Sequence, residues 1–291
     1  MPFGAGTQSD VLGRLVGQKL TEAWSQQVVI ENRPGAGAII GTELAAKSPP
    51  DGHTLLLHHI GMATMPTLVR NIPFKVESDF EYVGMINDVP MTLVARPTLP
   101  ATQYKELSAW IAQNKGKINL GNAGIGSASH LCGLMFLDKV GVKVEGVGYR
   151  GTGPAMADLL AGQFDFMCDQ TTGTTGPIRD GKIQGYAVTT KFKVASVPNL
   201  PTLDSTAMPG FEVSAWHAMW APKGLPKDVQ DKLVAALQAA LKDPKVIERF
   251  AALGTEPVPQ AQATPEALKA QLASEVRRWE PVLKAAGVKG N

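Results

Sequence analysis

The sequence predicts an α/β protein of two lobes. Short apolar strands alternate with helical segments along most of the chain, an order that implies parallel strand pairing and right-handed crossovers. The composition changes at residues 99–102, where the chain is expected to enter a second lobe, and an apolar strand at residues 213–220 is expected to bring it back. The predicted lobes are residues 1–100 plus 221–291 and residues 101–220, with a ligand cleft between them that closes by a hinge motion.

Composition and charge narrow the possible functions. The formal net charge of +2 is too small to indicate a nucleic-acid partner, and the sequence contains no basic run. No apolar stretch is long enough to span a bilayer, and residues 1–10 form a turn rather than a secretion signal. A turn as the first element leads us to expect that a first strand and a secretion signal are missing from this chain.

The elements of the first lobe follow from hydrophobic spacing and turn residues. Apolar side chains recur at helical spacing over residues 10–20, and Ser9 or Asp10 is expected to cap that helix. The predicted strands are residues 27–31, 53–58, 80–86 and 91–95, the last two joined by a turn at residues 87–90. The predicted helices are residues 10–20, 39–47, 229–241, 244–253 and 265–286.

The second lobe is organised around residues 118–169, where three short strands each end in a turn rich in glycine and hydroxyl side chains. The turns are residues 121–129, 149–154 and 169–176, and helices follow the first two. Such turns meet at the carboxyl edge of an open α/β sheet, where ligands bind. Helix N-termini at this edge offer free N–H groups and a partial positive charge, which predicts half of an anion-binding site. The other predicted elements are a helix at residues 104–113 and a strand at residues 184–188.

The first of these turns favours a carboxylate or a similar anion over a nucleotide. Its glycine spacing, Gly-x-x-Gly-x-Gly, is not that of a dinucleotide-binding loop, and no lysine follows as in a phosphate-binding Walker loop. Ser129 and His130 are adjacent on a helix and point about 100° apart, so they cannot form the hydrogen bond of a catalytic triad. We therefore predict no catalytic residue and no cofactor. Plain helix capping by these hydroxyls is the alternative.

Histidine and aspartate side chains are the other candidates for metal binding or acid–base chemistry. His58 and His59 face opposite sides of a strand, so no metal ion is predicted there, although His59 can line a cleft. Asp169 falls at the carboxyl end of its strand, where it can order water or accept from a ligand hydroxyl or amine. Asp169 has no partner carboxylate or base at a recognisable spacing, which is weak support for acid–base catalysis.

The two cysteines, Cys132 and Cys168, lack the spacing of a metal or redox motif. Burial as small hydrophobic side chains is common for free cysteine. A disulfide in an oxidising compartment is the alternative. Spacing alone leaves both open.

At several of these motifs the sequence resembles the solute receptors of tripartite tricarboxylate transporters, the Bug family of periplasmic receptors. The most specific matches are ENRPGAG at residues 31–37 and PDGHTLL at residues 50–56, and others follow in order at residues 149–155, 158–163 and 201–211. The resemblance implies a type II periplasmic-binding-protein fold of mostly parallel sheets flanked by helices. It also implies that backbone N–H groups, hydroxyls and ordered waters bind the carboxylate.

The same resemblance assigns the ligand-binding residues by position. Thr7 stands where a second glycine is common, and the bulky His59 replaces a small polar residue, which is expected to alter ligand choice. The implied residues are Ala5, Gly6, Thr7, Ser9, His59 and Gly61 in the first lobe, and Gly126, Ser127, Ser129, Thr152 and Asp169 in the second.

These observations together predict a monomeric periplasmic receptor that is not an enzyme. It is expected to bind a small organic acid, with mono-, di- or tricarboxylates and aromatic acids all included, and to deliver it to the membrane subunits of a transporter. One alternative is a small-molecule enzyme on the same two-lobed fold, with Asp169 and His59 as acid–base groups. Another is a cytoplasmic sensor.

Overall fold

Residues 1–144, 146–206 and 208–285 are described by the structure, a computed structural model. They form two units. Unit 1 comprises residues 1–88, residues 216–250 and the described residues from 256 onward, and unit 2 comprises residues 89–215 and 251–255. The predicted lobe ranges, with crossings at residues 100 and 220, stay a prediction.

The helices and strands alternate along most of the chain, as predicted. Ala286, the expected last residue of the C-terminal helix, lies outside the described residues. The helices are α1 (Gln8–Trp24), α2 (Ile39–Ala46), α3 (Gly61–Leu68), α4 (Tyr104–Gln113), α5 (Ala128–Val140), α6 (Thr152–Leu160), α7 (Thr171–Arg179), α8 (Leu203–Thr206), α9 (Lys227–Lys242), α10 (Pro244–Ala252) and α11 (Pro265–Ala285). The strands are β1 (Leu56–His59), β2 (Phe80–Ala95), β3 (Leu120–Asn122), β4 (Gly146–Gly148), β5 (Phe166–Gln170), β6 (Gln184–Val188) and β7 (Ser214–Pro222).

Strand pairing is mixed rather than mostly parallel. In unit 1, β1 runs antiparallel to β7. In unit 2, β2 runs antiparallel to both β5 and β6, whereas β3 is parallel to β4 and β5. Parallel pairing is found where the helices α5 and α6 return the chain between successive strands, as parallel strands require. Each of these antiparallel pairs involves β2 or β7, the two strands that continue from one unit into the other.

The prediction of a strand at residues 27–31 is wrong. This segment has no regular structure, and no strand among the described residues pairs with it. The N–H of Val28 donates to Thr21 Oγ1 at 3.0 Å, and the carbonyl of Glu31 accepts from the Met1 amino group at 2.7 Å. Val29 is 73% exposed, so the apolar pattern of the segment does not mark a buried strand.

The turn predicted at residues 87–90 is also wrong, because β2 continues through it as one strand. The backbone groups on either side have partners that keep the chain extended. The carbonyl of Ile86 accepts from Val258 N at 3.0 Å, and the carbonyl of Met91 accepts from Thr189 N at 2.9 Å. Pro90 lacks an N–H, and its carbonyl accepts from the Thr171 hydroxyl at 3.1 Å.

Besides the four-residue α8, two longer helices, α3 and α7, lie where the sequence predicted none. The third predicted turn, residues 169–176, is largely α7, although threonine and glycine have low helix propensity. Its Thr174 hydroxyl donates to the Gln170 carbonyl at 3.1 Å, and Thr171 and Thr174 are fully buried. The buried methionines and small residues of α3 pack on α11. Tertiary burial therefore overrides local propensity in both helices.

Cys132 and Cys168 form a disulfide, which decides between the two states that the spacing left open. Cys132 lies on α5 and Cys168 on β5, with Cα atoms 5.8 Å apart. Both side chains are buried. The bond therefore fixes α5 to the strand that carries Asp169.

Replacing both cysteines with alanine is expected to lower the free energy of unfolding by about 2–4 kcal/mol, because the bond closes a loop whose ends are 36 residues apart. Urea unfolding of the oxidised protein and of the double variant measures this difference. Dithiothreitol should destabilise only the parent protein. Equal stability of the two oxidised proteins would contradict the assignment.

Candidate functional site

In unit 1 the glycine-bearing loop before α1 is closed by Thr7, which is the N-cap of that helix. Its hydroxyl accepts from Asp10 N at 3.4 Å and donates to the Gly4 carbonyl at 2.9 Å. The prediction that Ser9 or Asp10 caps the helix is therefore wrong. Both residues lie inside the first turn, because Thr7 has the extended backbone that an N-cap requires.

The carboxylate of Asp10 holds this loop in shape. It accepts from Gly6 N at 2.9 Å, from Arg14 Nε at 3.0 Å and from Asn32 Nδ2 at 2.8 Å. Burial by itself would raise the pKa of Asp10, but these hydrogen bonds outweigh it and lower the pKa below its usual value. The same Asn32 amide donates to the Phe3 carbonyl at 3.0 Å, so it fastens both sides of the loop. This role of Asn32 was not predicted from the sequence, although Asn32 lies inside the ENRPGAG motif.

These contacts determine which groups of the loop remain available to a ligand. The N–H of Gly6, which has a φ of +78°, is taken by Asp10. Ala5 and Gly6 are exposed, whereas Ser9 is buried. The N–H groups of Gln8 and Ser9 in the first turn of α1 have no acceptor among the described residues. The start of α1 therefore offers backbone donors suited to an anion.

His59 is the last residue of β1 and Gly61 is the first residue of α3, and the two are joined by a hydrogen bond. The N–H of Gly61 donates to His59 Nδ1 at 2.9 Å, so the neutral ring carries its proton on Nε2. The ring stacks on Phe3 with centroids 4.3 Å apart. Burial, reinforced by the neighbouring His58 and His217, lowers the pKa of His59 well below its usual value. At neutral pH, His59 is therefore an uncharged donor.

The neighbouring His58 is buried and neutral as well, since burial lowers its pKa to about 4. Its Nδ1 accepts from His59 N at 2.8 Å. Among residues 1–144, 146–206 and 208–285, no group of three or more histidine, cysteine, aspartate or glutamate side chains is placed to hold a metal ion.

In unit 2 the structure brings the three predicted turns to one edge of the sheet. The strands β4, β3 and β5 lie side by side and parallel. The first two turns are joined directly, because Tyr149 N donates to the Asn122 carbonyl at 2.9 Å. The disulfide joins Cys132, which lies one turn after Ser129 on α5, to Cys168, which directly precedes Asp169.

Two of the predicted residues in the first turn are already engaged within the protein. Ser127 is the N-cap of α5, and its hydroxyl oxygen accepts from His130 N at 3.1 Å. Gly126 has a φ of +77°, and its N–H donates to His130 Nδ1 at 3.2 Å. Burial lowers the pKa of His130 to about 4, so this ring remains a neutral acceptor. Ser127 therefore caps the helix, while its hydroxyl proton stays free to donate.

Other polar atoms at this edge are buried and unpaired. Ser129 Oγ and Asp169 Oδ2 have no hydrogen-bond partner among the described residues, and the same holds for Gln170 Oε1 and Thr172 Oγ1. A buried polar atom without a partner is costly, and a ligand or an ordered water that pairs with it removes the cost. Gln170 and Thr172 were not predicted as site residues, because they belong to the third turn, where no helix was predicted.

Asp169 and Thr152 complete the predicted set. Burial raises the pKa of Asp169 to about 7, although a hydrogen bond from the Gln170 backbone acts against that rise. Near neutral pH the carboxyl group of Asp169 can therefore be protonated, and the protonated group can donate a hydrogen bond to an anion. Thr152 is the first residue of α6, where Gly151 provides no side-chain cap. The N–H groups of Thr152 and Gly153 have no acceptor among the described residues.

Comparisons with known proteins match this architecture. A solved structure of the periplasmic binding protein BugD is 46% identical in sequence, with a TM-score of 0.94 over 100% of this chain and 97% of that one. MatC of Rhodopseudomonas palustris with bound malate is 32% identical, with a TM-score of 0.91 over 97% and 96% of the two chains. The R. palustris protein Rpa4515 with adipate is 30% identical, with a TM-score of 0.93 over 100% and 96%.

A curated relative from Agrobacterium vitis, encoded in the ttuE–ttuC′ intergenic region, is 46% identical over 99% of this chain and 83% of its own length. The class of protein is therefore a periplasmic binding protein. The model of the tripartite tricarboxylate transporter family receptors, TctC, matches residues 12–288, and the chain belongs to this family. The resemblance to the Bug receptors, the fold class, the receptor function and the periplasmic location are confirmed. The family is one of binding proteins and not of enzymes.

Asp169→Asn is expected to raise the free energy of unfolding by about 1–4 kcal/mol at pH 8 and to have little effect at pH 4. The folded-state pKa of Asp169 lies above that of the unfolded chain. The protonated carboxyl group therefore contributes fully below pH 4, and this contribution is lost as the pH rises through 7. Urea unfolding at pH 4, 6 and 8 measures the difference, with the exposed Asp138→Asn as control. A difference independent of pH would contradict the buried, protonated Asp169.

Asn32→Ala is expected to cost about 1–3 kcal/mol of unfolding free energy, because it removes a donor to the buried Asp10 carboxylate. Arg14→Ala is the matched control. The Arg14 side chain also bonds Asp10, but it is 52% exposed and should matter less. Urea unfolding of both variants provides the test. A smaller loss for Asn32→Ala than for Arg14→Ala would contradict the role given to Asn32.

Proposed function

We propose that this protein is a monomeric receptor that binds a small organic carboxylate and delivers it, unchanged, to the membrane subunits of a tripartite tricarboxylate-type transporter. The observation that carries the proposal is the set of donors that the fold leaves unpaired. In the part of the chain that the structure describes, first-turn N–H groups of α1 and α6 have no acceptor, and the buried Ser129 hydroxyl has no partner. Family membership supports the delivery step.

Dicarboxylates are the ligand class that we favour within organic acids. Solved relatives carry malate and adipate, two acids of different length. The predicted ligand-binding residues include no lysine or arginine, so helix N-termini and neutral donors stabilise the anion instead of an ion pair. Monocarboxylates, tricarboxylates and aromatic acids remain members of the panel to be tested.

The predicted site residues form part of this proposal, with roles set by their contacts. Ser9, His59, Ser127, Ser129 and Thr152 act as neutral donors through their side chains. Asp169 donates to the ligand when protonated, or accepts from a ligand hydroxyl or amine when ionised. The Thr7 hydroxyl already donates to Gly4, so Thr7 is proposed to border the ligand through its backbone. The other backbone positions proposed to border the ligand are Ala5, Gly6, Gly61 and Gly126.

Delivery to a transporter requires separate membrane subunits in this proposal. No helix in the part of the chain that the structure describes is both long and apolar enough to cross a bilayer. Family membership supports the assignment of membrane passage to those subunits.

Isothermal titration calorimetry against malate, adipate, succinate, citrate, benzoate and acetate tests the proposal. We expect one acid bound per chain and recovered chemically unchanged. Ser129→Ala should weaken the tightest interaction by about 1–2 kcal/mol, the value of one hydrogen bond to a charged group. Ser108→Ala on α4 is the matched control and should bind as the parent protein does. Binding of none of these acids, or their chemical conversion, would refute the proposal.

A further inference from the structure

A buried contact in unit 1 joins α1 to β7. Ser9 Oγ lies 3.0 Å from His217 Nε2, although the two residues are 208 positions apart in the chain. Ser9 is 4% exposed and His217 is fully buried. The hydrogen bond between Ser9 and His217 is therefore shielded from water. Ser9 is one of the residues that the proposed function places at the ligand.

The register of β1 against β7 places a second imidazole beside this contact. His59 stands directly opposite His217 in the antiparallel pair, and the two rings meet edge to face with centroids 5.9 Å apart. Because the N–H of Gly61 occupies His59 Nδ1, the proton of His59 remains on Nε2. Ser9, His59 and His217 thus form a cluster of buried polar side chains.

The direction of the Ser9–His217 hydrogen bond decides what Ser9 can do. A serine hydroxyl has one proton to donate and two lone pairs that accept. If Ser9 donates to His217, it turns only lone pairs toward a ligand, and these repel a carboxylate. If His217 donates to Ser9, the hydroxyl proton of Ser9 is free to donate to the anion.

We propose that His217 is a positioning residue of the ligand site: its Nε2–H donates to Ser9 Oγ and thereby aims the Ser9 hydroxyl proton at a carboxylate of the ligand. The inference deepens the proposed function and rests on it. His217 itself need not touch the ligand. It sets the role of a first-turn hydroxyl, next to backbone N–H groups of α1 that have no acceptor among the described residues.

Glutamine is a conservative replacement for His217 that keeps the proposed N–H donor. The amide nitrogen of glutamine lies about as far along the side chain as Nε2 of histidine, so His217→Gln can still donate to Ser9. His217→Leu removes the donor and retains an apolar side chain. His53→Gln, at an exposed position of the same unit, is the control for a histidine change away from this cluster.

Calorimetry with malate and adipate on the parent protein, Ser9→Ala, His217→Leu and the double variant gives a double-mutant cycle. We expect each single change to weaken binding about 5-fold to 30-fold, the effect of one hydrogen bond to a charged group. The double variant should lose no more than either single variant. His217→Gln should stay within about 3-fold of the parent protein, and His53→Gln should match it. Losses that multiply in the double variant would overturn the inference.

A second measurement does not depend on affinity. Nitrogen-15 spectra of histidine-labelled protein, assigned by the His217→Gln variant, report which ring nitrogen of His217 carries the proton. We expect the Nε2–H form both before and after adding malate. The Nδ1–H form would overturn the inference even if the parent protein binds carboxylates. If the parent protein binds none of the acids in the panel, the proposed function fails and this inference fails with it.

Discussion

The first turn of a helix has N–H groups with no acceptor inside the helix, and the proposed ligand chemistry depends on that constraint. Three helices, α1, α5 and α6, begin at turns where the predicted site residues cluster. Thr7 and Ser127 are the N-caps of α1 and α5, and the side chain of each accepts from one of these N–H groups. Gly151, the N-cap of α6, has no side chain that could do so. The remaining donors and the positive end of each helix dipole are therefore available to an anion.

Desolvation gives the titratable side chains near these turns a common character. Burial lowers the pKa values of His58, His59 and His130 and raises that of Asp169, so each favours its uncharged form. A carboxylate would thus meet neutral donors rather than a charged clamp. Binding through neutral groups avoids burying a second charge, which is costly unless the ion pair is well matched.

Two covalent or charge-assisted contacts hold the donors in place. In unit 1, the carboxylate of Asp10 joins the Gly6 backbone to Asn32, which in turn fastens the Phe3 carbonyl. In unit 2, the disulfide from Cys132 to Cys168 fixes α5 to β5. Asp10, Asn32, Cys132 and Cys168 were not among the predicted ligand-binding positions. They act on the site by ordering the loops and strands that carry it.

The sequence by itself determined the α/β class, most element positions, the location of the glycine and hydroxyl turns, and, through its motifs, the receptor family. These features depend on local spacing and turn chemistry, which are written in consecutive residues. Only the tertiary structure decided the pairing of Cys132 with Cys168, the continuity of β2 through Pro90, and the contact of Ser9 with His217. Such features join residues far apart in the chain, so their partners depend on how strands and helices pack rather than on any local pattern.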